Sequence, residues 1–264
     1  MVLTPVRSQS TKMFIAEVGI NHNGNKTKAS NMLKKLVKTD IDAITLQILK
    51  PEFYRENKSY GSQLSKDFYK KAIDFVHKNN KLIGFAIADK KMVSFLNEAG
   101  ADFWKILSTS ILDNALIKSC IKTNKLLFVS TGVSDEAEIL KVSKKFKNVK
   151  FIHTQLSQQV KDVNLRAITR LKNLTSRDIA FGLHCSNSDA LFLSIAFAPS
   201  DVFFYVKDNS REKFADDEHA IVINKVGGVV KRLKSIEKAL GTGVKEKVGV
   251  KIKISPHRYK YEYI

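Results

Sequence analysis

Short runs of apolar residues alternate along the chain with longer segments in which apolar residues recur at helical spacing. The short runs have the length of buried strands, whereas the longer segments fit amphipathic helices. Strands are predicted at 13–18, 43–48, 82–87, 103–107, 126–130, 149–153, 179–183 and 202–206. Helices are predicted at 27–39, 64–79, 89–99, 112–123, 134–146, 163–173, 187–197 and 218–240.

Eight strand–helix units between residues 13 and 242 indicate an α/β protein with a single (β/α)8 TIM barrel. An open doubly wound sheet usually has a glycine-rich phosphate turn after an early strand, and no G-x-G-x-x-G occurs in the sequence. Residues 1–12 are predicted to be an N-terminal extension, and residues 243–264 a basic C-terminal tail.

Composition narrows the class of protein. The chain has 264 residues, 44% of them hydrophobic, which is enough for one large core. No apolar stretch reaches the roughly 20 residues that span a membrane, and no signal peptide is recognisable, so we expect a soluble, cytoplasmic protein. Cys120 and Cys185 lack the paired spacing of a disulfide framework or a zinc knuckle.

The formal net charge of +19 favours an anionic partner. The 37 lysines and eight arginines are scattered, whereas nucleic-acid modules concentrate basic residues on one face. Nucleic acid is therefore an unlikely partner by this pattern, although the run "KEKVGVKIKISPHRYKYEYI" leaves that hypothesis open. A small acidic substrate and a general lysine bias are the other two explanations.

Polar residues collect where the predicted strands end, which is the functional face of a barrel. They are Glu17 with Asn21, His22 and Asn23, then Gln47 with Lys50, Asp89, Lys105 with Ser108 and Ser110, Ser130 with Thr131, His153, His184, and Lys207 with Asp208. Lysines, hydroxyls and backbone N–H groups at helix starts bind carboxylate and phosphate well. The sequence therefore predicts a pocket for a small anion.

Six motifs give the chain a resemblance to a known family. They are "FIAEVGINHNG", "DAITLQILK", "FWKILSTS", "LLFVSTGVSDEAEI", "DVNLRAI" and "SIEKALGTG", in the order and near the spacing of the sialic acid synthase family. That family includes the synthases of legionaminic and pseudaminic acids. The similarity covers about residues 13–242, and its first and fourth motifs together are the most specific part.

The resemblance implies a (β/α)8 barrel that condenses phosphoenolpyruvate with an N-acetylated hexosamine, giving a nine-carbon 2-keto sugar acid and phosphate in surface-polysaccharide biosynthesis. In the family, a divalent metal (manganese or magnesium) polarises the sugar aldehyde. Glu17 is expected to contact the sugar, and Lys105 to pair with carboxylate or phosphate, both as catalytic residues. The expected substrate-binding residues are Asn21, His22, Asn23, Gln47, Ser108, Ser130, Thr131, Gly132 and His219.

The chain departs from the family at the metal site. The family's metal-binding histidines lie in "GYSDHT" and "EKHFT" segments, which here read "GLHCSNS" and "YVKDN", so the ligand positions fall on Ser186 and Lys207. We therefore expect the family's metal ligands to be lost, with His184 beside Cys185 and Asp208 as the remaining candidate ligand. Lys207 is expected either to supply the missing positive charge, as a catalytic residue, or to be an inert remnant.

The sugar side departs too. The segment after the sixth strand reads "HTQLSQQV" and lacks the family's tyrosine and proline. We expect no C-terminal antifreeze-like domain, which in the family contributes an arginine to the sugar across a dimer. A homodimer and a separately encoded partner chain both stay open. The alternative functions are a catalytically silent barrel that binds a sugar acid or phosphoenolpyruvate, and a lyase or aldolase that uses Lys105 or Lys207 as a Schiff-base amine.

Overall fold

Parallel strands form a closed barrel in the computed structural model, which describes residues 12–58, 61–245, 250–255 and 258–263. The barrel strands are β1 (Phe14–Gly19), β2 (Ala43–Ile48), β3 (Leu82–Ile87), β4 (Phe103–Ile106), β5 (Leu126–Ser130), β6 (Lys150–His153), β7 (Ile179–Leu183) and β8 (Val202–Lys207). Each strand pairs with the next, and β1 also pairs with β8. The predicted (β/α)8 TIM barrel is confirmed. The predicted N-terminal extension lies outside the described residues except for residue 12.

The helices surround the barrel. They are α1 (Lys26–Leu36), α2 (Pro51–Glu56), α3 (Lys66–Lys78), α4 (Met92–Ala99), α5 (Asn114–Ile121), α6 (Glu136–Lys145), α7 (Arg166–Thr175), α8 (Asp189–Ser194) and α9 (Ile223–Leu240). In the described part of the chain, no helix is both long and apolar enough to cross a membrane.

The prediction that the last helix begins at 218 is wrong. A short strand, β9 (Ile221–Val222), pairs with the end of β8, and α9 begins only after it. Residues 208–220 consequently form a loop, which we call the β8–α9 loop. Within the predicted basic tail, β10 (Val250–Ser255) and β11 (Arg258–Tyr263) pair as an antiparallel hairpin.

Apolar side chains fill the lower part of the barrel interior, because alternate residues of each strand point inward. This barrel floor consists of Met13, Ile15, Ala43, Phe103, Phe128, Ile152, Ala180 and Phe203. Three of its rings pack edge to face, with centroids 5.9 Å apart for Phe103 and Phe128 and 5.0 Å apart for Phe128 and Phe203. Such contacts stabilise the floor beyond the burial of its apolar area. The inward positions above the floor are left to build the mouth.

Gly84 on β3 leaves room for this aromatic floor. A methyl group placed on Gly84 would lie 2.3 Å from the Phe103 ring, which is fully enclosed. We predict that Gly84→Ala lowers the free energy of unfolding by about 2 kcal/mol or more, because a packed core accommodates added volume poorly. Urea denaturation measures the change.

Gly227→Ala is the matched control for this substitution. Gly227 lies inside α9, and a methyl group there meets nothing within 4 Å. The same chemical change should stabilise the protein by about 0.5 to 1 kcal/mol, because alanine favours helix more than glycine does. Equal effects of the two substitutions would contradict the packing argument.

Candidate functional site

The barrel mouth is built from the inward positions that follow the floor. Glu17, Lys105 and Tyr205 each lie two residues after a floor residue, on β1, β4 and β8 respectively. All three side chains are buried. The alternation that builds the floor therefore also places an acid, a base and a phenol together above it.

Glu17 and Lys105 form a buried ion pair. Lys105 Nζ donates to Glu17 Oε1 at 2.5 Å and to Oε2 at 2.6 Å, and the two residues are 3% and 1% exposed. Lys105 Nζ also lies 5.4 Å from the ring centroids of both Phe203 and Tyr205. Breaking such a pair by removing one partner leaves a buried charge, which is strongly destabilising. The mouth thus holds a fixed cation at its centre.

Tyr205 joins this pair to two imidazole rings. Its own ring lies 5.0 Å from the rings of both His184 and His219, and the two imidazoles are 4.6 Å apart. Burial raises the pKa of Tyr205 well above its usual value, and the charge of Glu17 raises it further. Tyr205 is therefore a neutral hydrogen-bond donor beside the Glu17 carboxylate.

Hydroxyl groups line the neighbouring ends of β4 and β5. The Ser108 hydroxyl donates to Ser130 Oγ at 2.9 Å and accepts from the Gly132 N–H at 3.0 Å. A methyl group on Gly132 would come within 2.8 Å of Ser108 Oγ, so this close approach requires a glycine. Thr131 does not join this cluster, because both its hydroxyl and its N–H donate to the Ile152 carbonyl.

The Asn21 amide ties the first loop to the far end of the chain. Its Nδ2 donates to the Val206 carbonyl at 2.9 Å, and its Oδ1 accepts from the Asp216 N–H at 3.0 Å. Asn23 Nδ2 adds a hydrogen bond to the Lys213 carbonyl at 3.2 Å. Asn21 and Asn23, which were expected to bind substrate, therefore hold the β8–α9 loop in place.

Two more of the expected binding residues lie near this loop and at the end of β2. His22 accepts from the Gly24 N–H through Nδ1 at 3.0 Å, while its buried Nε2 has no partner among the described residues. Burial lowers the pKa of His22 to about 4, helped by Lys28, so the ring is neutral at pH 7. Gln47 is half-buried on β2, in register with Ala86 of β3.

The β8–α9 loop brings Asp216 to the barrel mouth. A Cβ atom placed on Gly19 would lie 3.1 Å from Asp216 Oδ2 and 2.9 Å from the Tyr205 ring. Gly19 also has a φ of +56°, so both its conformation and its surroundings require glycine. Glycine at this position lets the loop reach the interior.

Asp216 titrates near neutral pH. Burial, and then the nearby negative charge of Glu17, raise the pKa of Asp216 to about 7, although the Lys105 charge opposes them. His219 is the reverse case, because burial and the charges of Lys105 and Lys207 lower its pKa to about 4. Burial also lowers the pKa of His184. The mouth therefore contains neutral imidazoles beside a carboxyl group that titrates near pH 7.

Lys207 belongs to the same loop contact. Its Nζ donates to the carbonyl and to the Oδ1 of Asp217, both at 2.7 Å. Its side chain is 13% exposed, two positions beyond Tyr205 on the inward face of β8. Lys207 therefore provides the positive charge expected at this position, and the Asp217 carboxylate is its partner.

The donor set does not fit the metal that the resemblance implies. The family's two ligand positions hold Ser186 and the paired ammonium of Lys207. The structure does not bring His184, Cys185 and Asp208 together, since the Cys185 thiol donates to the Gln158 carbonyl and Asp208 pairs with Lys35. Within residues 12–58 and 61–245, no three His, Cys, Asp or Glu side chains form a group that could hold a metal ion.

Three residues of the mouth escaped sequence reasoning, namely Tyr205, Asp216 and Gln158. Tyr205 looks like one more apolar residue of a buried strand, although it falls on the inward face that Lys207 marks. Asp216 lies just before the helix predicted at 218–240, and the pairing of β9 with β8 places it in a loop instead. Gln158 donates through Nε2 to His219 Nδ1 at 3.0 Å, a contact between residues 61 positions apart.

Comparison with known proteins agrees with the architecture. The model of the NeuB family matches residues 50–245. An uncharacterized protein of Methanocaldococcus jannaschii is 28% identical over 251 residues, covering 88% of this chain and 73% of that protein. The N,N'-diacetyllegionaminic acid synthase of Campylobacter jejuni is 22% identical over 263 residues, covering 89% and 79%.

The structural comparison agrees with the fold. The N-acetylneuraminic acid synthetase of Leptospira borgpetersenii, solved in complex with citrate, superimposes with a TM-score of 0.84 at 23% identity, covering 90% of this chain and 88% of that one. At this identity the likeness establishes the fold, whereas the family match extends over most of the chain. With its closed barrel and its matching sequence, the chain belongs to the NeuB family, the sialic acid synthases.

Proposed function

We propose that this protein is a phosphoenolpyruvate-dependent synthase that condenses phosphoenolpyruvate with an N-acetylated hexosamine. The product is a nine-carbon 2-keto sugar acid of the sialic, legionaminic or pseudaminic type. The buried Lys105, held by Glu17 at the centre of the mouth, is the observation that carries the proposal. Membership of the NeuB family supports it.

Lys105 and the hydroxyl cluster form the anion-binding half of the site. Phosphoenolpyruvate is a trianion near neutral pH and needs cations and oriented donors in place of water. Lys105 supplies the cation, while the Ser130 hydroxyl, whose oxygen accepts from Ser108, supplies a donor at the end of the adjacent strand β5. When phosphoenolpyruvate binds, Lys105 gives up part of its contact with Glu17 and pairs with the substrate. The Lys105 ammonium therefore has an anionic partner before and after binding.

The reaction forms one carbon–carbon bond and breaks one bond to phosphate. The C3 of phosphoenolpyruvate bonds to the aldehyde carbon of the open-chain sugar, and the aldehyde oxygen takes up a proton. Water then adds at C2 of the phosphoenolpyruvate unit, and inorganic phosphate leaves. Stabilising the developing charge on the aldehyde oxygen is the main electrostatic demand.

Lys207 and Asp216 meet this demand without the family's metal ligands. Lys207 supplies positive charge from the end of β8, and its hydrogen bonds to Asp217 fix its position. Asp216 donates the proton, because its Oδ2 is buried at the mouth without a partner among the described residues and about half of the carboxyl is protonated at pH 7. Glu17, Lys105, Tyr205 and His219 are the titratable groups around it.

Lys105→Met is expected to lower turnover about 1,000-fold and to abolish phosphoenolpyruvate binding, since the central cation is lost. Calorimetric titration with phosphoenolpyruvate and an assay of phosphate release measure the two effects. The double variant Glu17→Gln/Lys105→Met, which leaves no unpaired buried charge, recovers stability but not binding.

Lys150→Met is the matched control for Lys105→Met. Lys150 is also partly buried and paired with a carboxylate, Asp201, at 3.4 Å, but it lies at the start of β6, at the opposite end of the barrel. This substitution should leave phosphoenolpyruvate affinity unchanged. Full affinity in the Lys105→Met variant would contradict the assignment of the anion site.

Lys207→Met is expected to lower kcat about 100-fold without changing phosphoenolpyruvate affinity, because the charge acts on the aldehyde oxygen. Treatment of the wild-type protein with a chelator should leave turnover unchanged. Lys35→Met serves as the control, since Lys35 is paired with Asp208 on the exposed side of the loop. Loss of wild-type turnover on chelation, restored by manganese, would contradict this role of Lys207.

The pH dependence of kcat tests Asp216. Only the protonated carboxyl donates, so kcat should be constant below about pH 6, reach half of that value near the pKa of about 7 and fall about tenfold for each further pH unit. Asp216→Asn should be slower and lose this decline, whereas Asp208→Asn should keep the wild-type profile. A wild-type rate that stays constant up to about pH 9 would eliminate Asp216 as the proton donor.

A further inference from the structure

The residues assigned to anion binding are closed off from solvent. Lys105 is 3% exposed and Ser130 is 2% exposed, and the Glu17 and Tyr205 side chains beside Lys105 are buried as well. Protein interiors are packed too closely for a solute to pass between fixed side chains. Phosphoenolpyruvate can therefore reach Lys105 only if part of the wall of the barrel mouth moves aside.

The β8–α9 loop covers the buried pair of Glu17 and Lys105. Asp216 of this loop approaches Gly19, which lies two residues after Glu17 on β1. The His219 ring of the same loop packs edge to face against the Tyr205 ring, with centroids 5.0 Å apart. Ala215 adds an apolar contact with a small cluster at the rim, formed by Ile20, Leu49, Tyr54 and Ala88. This loop is therefore the part of the wall that lies over the site.

The construction of the β8–α9 loop allows it to move while its neighbours stay in place. Its two ends are fixed together, because Val206 pairs with Ile221 and Lys207 pairs with Val222. Between these ends, residues 208–220 are all described, and none of them lies in a helix or a strand. Segments without ladder hydrogen bonds open at a lower free energy than the strands of a core. The loop can therefore swing outward from its fixed ends without disrupting β8 or α9.

Hydrogen bonds from two neighbouring loops hold the β8–α9 loop in its closed position. The Asp216 N–H donates to Asn21 Oδ1 at 3.0 Å, and Asn23 Nδ2 donates to the Lys213 carbonyl at 3.2 Å. On the other side, Gln158 Nε2 lies 3.0 Å from His219 Nδ1. The net contribution of each such bond is small, because water takes its place when the loop opens. The closed position is consequently favoured without being permanent.

Resting on the function proposed above, we propose that the β8–α9 loop is a lid that opens to admit phosphoenolpyruvate and then closes over it, with Asn21 as its latch. Closure of such a loop excludes water and completes the set of reacting groups. Here the bond to Asn21 closes the mouth and, at the same time, brings Asp216 back beside Tyr205. Entry of the substrate and placement of the proposed proton donor therefore depend on one contact.

Acetylation of Lys105 by acetic anhydride tests the lid, because the reagent reaches this buried amine only when the mouth is open. Peptide mass spectrometry separates Lys105 from the exposed lysines. In the wild-type protein, Lys105 should react at least about 100-fold more slowly than the exposed Lys26, since only the open fraction reacts.

Two substitutions that weaken the latch should speed this reaction. Asn21→Ala removes the acceptor of the Asp216 N–H and should raise the rate of Lys105 acetylation at least about tenfold. Asn23→Gly removes only the bond to Lys213 and should raise the rate about threefold. Glycine suits this position, because Asn23 has a φ of +49°.

Two controls separate opening of the lid from other effects. Asn79→Ala is the matched control, because it also removes an amide bond to a backbone carbonyl, that of Phe75 at 2.8 Å, but at the end of α3. It should leave the acetylation of Lys105 unchanged. Alkylation of Cys120 by iodoacetamide in a parallel sample reports global unfolding, since this thiol is fully buried on α5. An increase at Lys105 without an equal increase at Cys120 therefore measures local opening.

The lid is ruled out if Asn21→Ala and Asn23→Gly both leave the rate at Lys105 unchanged relative to the rate at Cys120. Acetylation of wild-type Lys105 as fast as Lys26 would also overturn it. Neither measurement needs turnover, so failure of the lid is distinguishable from failure of the proposed function. Phosphate release combined with unchanged acetylation in the variants keeps the synthase reaction and removes the lid. Faster acetylation in the variants without any phosphate release keeps the lid and removes the synthase reaction.

Discussion

The buried ion pair between Glu17 and Lys105 limits what else the barrel mouth can contain. Two charges removed from water are stable only while each keeps its partner. The pair also acts on its surroundings, because the Glu17 charge raises the pKa of Asp216 and the Lys105 charge lowers that of His219. The Tyr205, His184 and His219 side chains are consequently neutral near pH 7, whereas Asp216 titrates there.

The upper wall of the mouth depends on contacts between distant parts of the chain. Asn21 bonds to Val206 and Asp216, which are 185 and 195 positions away along the sequence. Gly19 then allows the Asp216 carboxyl and Tyr205 to approach β1. The first loop therefore holds Asp216 in place, the residue that we propose as the proton donor.

The sequence predicted the barrel well, because the physical cause of the pattern is local. Strand residues alternate between a hydrophobic inner floor and a hydrophobic outer layer, so β1 and β8 were visible as apolar runs with Glu17 and Lys207 interrupting them. The β8–α9 loop was missed, because its conformation depends on the pairing of β9 with β8 and on Asn21, both of which are tertiary contacts. The sequence pattern consequently placed the start of the last helix at 218 instead of at Ile223.

Site chemistry was predictable where strand position decided it and unpredictable where partners decided it. Lys105 faces the interior because it follows Phe103 at a spacing of two, and the resemblance to the sialic acid synthases already implied its role. Thr131 has the right residue type and the right turn, yet its hydroxyl is used by Ile152. Gln158 has no sequence motif, and its importance appears only when His219 is found 3.0 Å away.

In the function that we propose, Lys105 and Ser130 bind the anion, and Lys207 and Asp216 act on the sugar aldehyde where the family uses metal ligands. A crystal structure of the protein soaked with phosphoenolpyruvate and manganese tests this account most directly. The account predicts phosphoenolpyruvate bound against Lys105 and Ser130, with no manganese anomalous signal beside His184 or Lys207. Manganese at that position, or phosphoenolpyruvate bound away from Lys105, would contradict it.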